Sequence, residues 1–145
     1  MTFCHQKFKH CFVACCASAL GQSTTADQEV IVARFPVELQ KGAADEGVPK
    51  TSNEVFSVLL GLGLSANPGL VISTGTSFSG VTQFLKAHRP HAERMMILTK
   101  HPTNHCMRIQ DIADDKISVM NPEEHDLSSM TWPDFEATQP TILLL

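Results

Sequence analysis

The sequence predicts an α+β domain, with helices in the N-terminal half and an antiparallel sheet in the C-terminal half. Apolar residues recur at helical spacing over residues 8–20 and again after position 51, whereas strand signals separated by turn residues begin at residue 94. A chain of 145 residues is long enough to bury one core. We therefore expect a single domain over residues 1–145.

Two helices are predicted in the first 40 residues from their apolar spacing and their ends. An amphipathic helix spans residues 8–20 and stops at Gly21, which places Cys11 in its first turn. A second, shorter helix begins with Thr25 as its N-cap, and Pro36 interrupts it.

Capping patterns predict two further helices. Residues 41–50 contain two glycines and a proline, which is typical of a loop. After this loop, Thr51 and Glu54 form a capping box ahead of an apolar stripe. Ser79 is the predicted N-cap of a helix that ends before Pro90.

Apolar runs between turn residues predict the strands, three of which form a β-meander. The predicted strands cover residues 70–72, 94–99, 105–112, 116–120 and 141–145. Residues 113–115 are the predicted turn between the strands at residues 105–112 and 116–120. Ser128 or Ser129 is predicted to cap a short helix through Trp132, ahead of the last strand.

The composition excludes several classes of function. The net charge is -4 and no run of Lys and Arg forms a basic stripe, so we expect neither a nucleic-acid partner nor a membrane partner. No stretch approaches the roughly 20 apolar residues of a membrane span. The cysteines are odd in number and include the adjacent Cys15 and Cys16, which argues against a disulfide framework and favours a reducing compartment.

The N-terminus also resembles a secretory leader. Lys7 and Lys9 precede an apolar stretch over residues 11–20 that contains the small residues Ala17 and Ala19. Small and polar residues break this stretch, so a helix of the domain is the favoured interpretation. We expect a cytoplasmic protein, or one that is secreted as an effector without a cleaved signal peptide.

Four residues supply the groups that a cysteine hydrolase needs: a thiolate, a base, a side chain that orients the base, and a donor to the oxyanion. Cys11 lies at a helix N-terminus, where the helix dipole and a nearby imidazolium are expected to lower its pKa. His105 begins one strand and Asn121 follows the next, so a hairpin brings them side by side. Gln6 stands five positions before Cys11 and can direct its amide at a carbonyl oxygen.

This order of residues, with a helical half before a β half, resembles the papain-like cysteine peptidases. It is most similar to the bacterial domains that process double-glycine bacteriocin leaders, and to effector proteases whose nucleophile lies in a Cys-Trp-Ala-Ala-Cys run. Residues 11–15, Cys-Phe-Val-Ala-Cys, stand in that place, and Asn121 stands where those domains carry Asp and papain carries Asn. The resemblance implies a protein or peptide substrate, a triad of Cys11, His105 and Asn121 assisted by Gln6, and no cofactor.

The sequence departs from that family at three positions, and other functions stay open. Phe12 replaces the usual Gly or Trp after the nucleophile, Asn104 replaces the usual Gly before the histidine, and Gln6 stands one residue closer to Cys11 than in papain. His5 is an alternative to Gln6 in the oxyanion hole. The same constellation also suits deamidation or transglutaminase-type transfer by an effector or toxin, and the departures suit a non-catalytic module that binds peptides.

Other titratable residues have simpler interpretations. Cys15 and Cys16 are expected to pack as small apolar side chains, and residues 123–126, Glu-Glu-His-Asp, are expected to form a solvated loop. His101 is the main rival of His105 and fits a turn between strands. The cysteines and histidines near the N-terminus lack the paired spacing of zinc ligands, so we expect no metal, and a small zinc-stabilised interaction domain is the weaker alternative.

Overall fold

The N-terminal part of the chain is helical and the C-terminal part is mainly an antiparallel sheet, which confirms the predicted α+β class. The structure, a computed structural model, describes residues 1–7, 10–40, 51–64, 71–72 and 77–145. Its helices include α1 (Cys11–Ala19), α2 (Thr25–Ala33), α3 (Ser52–Gly61), α4 (Phe78–Ala87) and α5 (Trp132–Ala137). The predicted loop at residues 41–50 lies outside the described residues.

Within the described residues the strands form one six-stranded antiparallel sheet. They are β1 (Val71–Ile72), β2 (Met95–Thr99), β3 (His105–Ile112), β4 (Lys116–Met120), β5 (Ser128–Thr131) and β6 (Thr141–Leu144). Their spatial order is β1-β6-β2-β3-β4-β5. The predicted meander is therefore present as β2, β3 and β4, and the C-terminal strand β6 returns to pair with β2 on the other side.

Helix α1 begins later than the predicted residue 8, because His10 has non-helical backbone angles, and it ends ahead of Gly21 as its sequence predicts. His10 is the N-cap, so Cys11 is the first residue of the helix. At the other end Gly21 has a φ of +76°, a conformation that glycine adopts without steric cost. The Gly21 N–H donates to the Ser18 carbonyl and the Gln22 N–H donates to the Ala17 carbonyl at 2.9 Å, which completes a Schellman motif.

Both α2 and α3 begin with a capping box, and the N-cap of α2 lies one residue before the predicted Thr25. Thr24, not Thr25, is the N-cap of α2, because its hydroxyl accepts from the Asp27 N–H while the Asp27 carboxylate accepts from the Thr24 N–H. Thr51 and Glu54 make the same reciprocal contacts at α3, which confirms the predicted box.

Two further cap predictions were wrong. The N-cap of α4 is Ser77 rather than Ser79, because the Ser77 hydroxyl accepts from the Gly80 N–H and the helix begins at Phe78. Ser128 and Ser129 do not cap a helix, since both belong to β5 and pair with β4.

The cap of α5 is Thr131, whose Oγ1 accepts from the Asp134 N–H. Pro133 stands in the first turn of that helix, where its missing N–H costs nothing. The threonine that ends β5 thus also starts α5, and the sheet runs directly into the helix.

Helices cover both faces of the sheet, and each face has its own apolar cluster. Side chains from α1, α2 and α3 pack on one face against Met96, Cys106, Met120 and Leu143. Side chains from α4 and α5 pack on the other face against Ile97, Met107, Ile109, Ile117, Val119 and Ile142. This alternation follows from the two-residue period of a strand, which points successive side chains to opposite faces.

The packing of α1 against β3 positions Cys11 relative to His105. Strand β3 begins at His105, and β4 ends one residue before Asn121. Because β3 and β4 are antiparallel, with Arg108 opposite Met120, the start of β3 and the end of β4 meet at one edge of the sheet.

Candidate active site

His105 and Asn121 form the best-defined polar contact of the predicted site. The Nε2 of His105 lies 2.6 Å from the Oδ1 of Asn121. An amide oxygen only accepts, so Nε2 carries the hydrogen and donates it. In the neutral ring the other nitrogen, Nδ1, then has a free lone pair and can accept a proton.

The surrounding loop fixes which end of the Asn121 amide faces the histidine. The Glu123 backbone N–H donates to the Asn121 Oδ1 at 3.2 Å, and the Asn121 Nδ2 donates to a Glu124 carboxylate oxygen at 3.3 Å. Exchanging the amide oxygen and nitrogen would break both loop contacts, because the Glu123 N–H only donates and the Glu124 carboxylate only accepts. The orientation that suits His105 is therefore set by the loop rather than by His105 alone.

Glu123 adds a negative charge on the Nδ1 side of the ring. Its Oε1 lies 3.9 Å from the His105 Nδ1, and its side chain is 60% exposed, whereas that of His105 is 12% exposed. A carboxylate at this distance stabilises a positive charge on the imidazole. The sequence predicts only a solvated loop at residues 123–126. The available signal for a role of Glu123 is that it follows Asn121 by two residues and shares its turn.

Cys11 is almost fully buried, with 4% of its surface exposed. Burial raises the pKa of its thiol to about 12, and the neighbouring Cys15 adds to the increase. Hydrogen bonds from the backbone of Cys106 and Phe12 act in the opposite direction but are smaller. The expectation of a lowered pKa was therefore wrong, because the loss of hydration at this helix N-terminus outweighs the favourable backbone dipoles.

The backbone contact of Cys11 nonetheless links it to the histidine. The hydrogen bond from Cys106 comes from the residue that directly follows His105 in β3. The structure thus brings the first residue of α1 against the first peptide of β3. Cys11 begins α1, His105 begins β3 and Asn121 directly follows β4, so the three residues lie at the same edge of the sheet.

Gln6 lies beside the loop that carries Asn121. Its backbone N–H donates to the Pro122 carbonyl at 2.8 Å. Its side-chain Oε1 is buried and has no hydrogen-bond partner among the described residues. The oxygen end of the Gln6 carboxamide therefore faces the protein interior.

His5, the alternative to Gln6, is engaged elsewhere. Its Nδ1 lies 3.1 Å from the Glu124 carbonyl oxygen, and its ring stacks on that of His125 with 4.8 Å between the centroids. Both contacts turn the ring toward the loop after Asn121.

A second residue that the sequence analysis missed is Gln28 on α2. Its side chain is completely buried and contacts the backbone on both sides of Gln6. The available signal was a polar residue three positions before the buried Ile31, on the same face of the helix.

No protein-family model matches the chain, and no curated protein matches it significantly.

All five cysteines are free and buried. Over the described ranges, no group of three or more His, Cys, Asp or Glu side chains is arranged to hold a metal ion. The same part of the chain contains no helix with the length and hydropathy needed to cross a membrane.

Proposed function

We propose that this protein is a papain-like cysteine peptidase that cleaves peptide bonds through an acyl-enzyme. Cys11 is the nucleophile, His105 the general base and acid, and Asn121 the residue that orients His105. The observation that carries the proposal is the 2.6 Å contact between the His105 Nε2 and the Asn121 Oδ1. It fixes the tautomer that a base needs, at the sheet edge against which the thiol of Cys11 packs.

The high pKa of Cys11 determines the order of events. A thiol with a pKa of about 12 stays protonated near neutral pH, so it needs a base at the moment of attack. The Nδ1 of His105 takes the thiol proton while the sulfur forms a bond to the substrate carbonyl carbon. The carbonyl π electrons move to the oxygen, and the Glu123 carboxylate stabilises the imidazolium that forms.

Different groups then stabilise the oxyanion and protonate the leaving amine. The Gln6 amide and the backbone N–H of Cys11 donate to the oxyanion. The imidazolium returns its proton to the leaving amine, the C–N bond breaks, and a thioester remains on Cys11. Water, deprotonated by His105, hydrolyses this thioester and frees the thiol.

Selective alkylation tests the nucleophile before any substrate is known. We expect iodoacetamide near neutral pH to modify Cys11 of the native protein in preference to the other four cysteines, as measured by intact mass and peptide mapping. The rate should fall at least tenfold in His105→Ala, because the thiol then loses its base. Cys15→Ala is the matched control, since Cys15 is buried one turn further along α1 and has no such partner in the mechanism.

A second candidate function is binding of a peptide without cleavage. The observation that favours it is the burial of Cys11, which leaves 4% of the residue exposed and raises the pKa of its thiol. Labelling of Cys11 no faster than that of Cys15, with no dependence on His105, would favour this candidate over the peptidase. If Cys11 labels selectively, product analysis on a peptide library separates hydrolysis from deamidation and from acyl transfer to an amine.

Asn121→Ala is expected to lower kcat about 10- to 100-fold while KM changes little. A hydrogen bond to a group that becomes charged contributes about 1.5–3 kcal/mol, and this one acts on His105 rather than on the substrate. Steady-state hydrolysis of a peptide identified from the library measures the effect. Asn104→Ala, just before β3, is the control, and an equal loss in both variants would contradict the role of Asn121.

A further inference from the structure

Gln28 is a buried amide with both of its polar ends occupied. Its exposed fraction is 0%. The Oε1 accepts from the Lys7 backbone N–H at 2.9 Å, and the Nε2 donates to the His5 carbonyl oxygen at 2.7 Å. The Nε2 also lies 3.5 Å from the Cys4 sulfur. One side chain thus pairs with the peptide groups on either side of Gln6.

The opposite side of this segment is held by the loop after β4. The Gln6 N–H donates to the Pro122 carbonyl at 2.8 Å, and the Cys4 N–H lies 3.4 Å from the Met120 sulfur. The segment therefore lies between α2 and the end of β4. The Gln28 amide makes the hydrogen bonds that the backbone of a neighbouring strand would make, because it offers a donor and an acceptor as a peptide group does.

The place of Gln28 in the fold relates the segment to the nucleophile. Helix α2 packs against α1, which begins at Cys11. A contact from α2 to residues 5 and 7 thus fixes the intervening Gln6 relative to the first turn of α1. A primary amide is required for this, since a carboxylate cannot donate to the His5 carbonyl and an aliphatic side chain can do neither.

We propose that Gln28 is a positioning residue that holds the Gln6 carboxamide where the oxyanion forms beside Cys11. The inference rests on the proposed peptidase function. An oxyanion donor acts only at a defined distance from the developing charge, so a small displacement of the segment is enough to remove its effect. Gln28 does not touch the substrate and acts through Gln6 alone.

Two reagents separate this role from a general structural one. Iodoacetamide alkylates a thiolate by displacing iodide and forms no oxyanion. With p-nitrophenyl acetate, the Cys11 sulfur forms a bond to the acetyl carbon through an oxyanion, the thiol proton passes to His105, and the ester C–O bond breaks to release p-nitrophenolate. The ratio of acylation to alkylation at Cys11 therefore reports on the oxyanion hole.

In the full chain, Gln28→Leu is expected to lower acylation about 10- to 100-fold while alkylation stays within about twofold of the original protein. Gln6→Ala should lower the same ratio, and Gln28→Leu should add nothing in that background, since both changes remove one donor. Gln28→Glu keeps the acceptor for Lys7 and loses the donor to His5, so it gives the same direction of change if the leucine variant does not fold.

Thr82→Val is the matched control, because it removes the hydrogen bond that the buried Thr82 donates to Glu136 on the opposite face of the sheet. It should leave the ratio unchanged. An unchanged ratio in folded Gln28→Leu or Gln28→Glu, or a further loss in the Gln6→Ala background, would overturn the role of Gln28. Absence of selective Cys11 chemistry with both reagents in the original protein would instead overturn the proposed peptidase, and this role with it.

Discussion

His105→Ala is expected to reduce kcat/KM for peptide hydrolysis by about a thousand- to ten-thousandfold. The size of the effect follows from the state of the nucleophile. Burial raises the pKa of Cys11 to about 12, so near pH 7 only a minute fraction is thiolate when no base assists. Removing the imidazole also removes the acid that protonates the leaving amine.

The pH dependence of the residual activity gives this prediction a second readout. Without His105, the rate depends on the thiolate fraction, which for a pKa of about 12 rises about tenfold per pH unit between pH 7 and 9. The original protein should show a much flatter profile in this range, because His105 supplies the base.

His101→Ala is the control for the histidine variant. His101 follows β2 and is exposed, in the connection that leads to His105. It should retain the activity of the original protein within about twofold, as expected for surface substitutions. Retention of full activity in His105→Ala, or an equal loss in His101→Ala, would contradict the assignment of the base.

The local parts of the candidate site could be predicted from the sequence because each depends on a short pattern. Two strand-length segments and the turn between them define the hairpin, and the hairpin alone brings the start of β3 to the end of β4. Its antiparallel pairing explains why the contact between His105 and Asn121 was foreseeable. The capping box at Thr51 and the glycine that ends α1 were equally local.

The features that sequence analysis missed depend on packing between distant segments. The direction of the Cys11 pKa shift depends on how deeply α1 packs against β3, which no helix pattern specifies. The contacts of Gln28 join residues more than 20 positions apart. Arg108 is also buried, and its guanidinium donates to the Ser18 hydroxyl at 2.8 Å and to the Glu93 carbonyl at 2.6 Å.

The sheet order shows the same limit of local patterns. The last five residues predicted a closing strand without indicating its neighbour. In the structure β6 lies between β1 and β2, so the C-terminal strand joins the meander to residues 71–72. Which strands β6 pairs with depends on contacts between segments that are far apart in the sequence.

Phe135→Ala is expected to destabilise the fold by about 3–5 kcal/mol, the cost of deleting a large buried aromatic side chain. Phe135 is completely buried in the apolar cluster on the sheet face opposite α1. Its ring packs edge to face on Trp132, with 5.6 Å between the centroids. A loss of this size is a large share of the roughly 5–15 kcal/mol that stabilises a domain.

The effect should extend to the candidate site through the hairpin. The Trp132 indole N–H contacts the Ala113 and Asp114 carbonyl oxygens at 3.2 and 3.0 Å, and so ties α5 to the turn between β3 and β4. The Phe135 ring packs edge to face on that indole. Circular dichroism and the fluorescence of Trp132, the sole tryptophan, should therefore both report unfolding at a Tm lowered by roughly 10–20 °C.

Phe84→Ala provides the matched comparison, because Phe84 is only partly buried against the same cluster. It removes the same number of atoms and should cost less, since part of its surface already faces solvent. An equal or larger loss of stability in Phe84→Ala would place the packing support of the hairpin on α4 instead. Below the unfolding temperature of Phe135→Ala, selective labelling of Cys11 should persist. It should be lost when that variant unfolds, because His105 and Asn121 belong to one hairpin and Trp132 holds the turn of that hairpin.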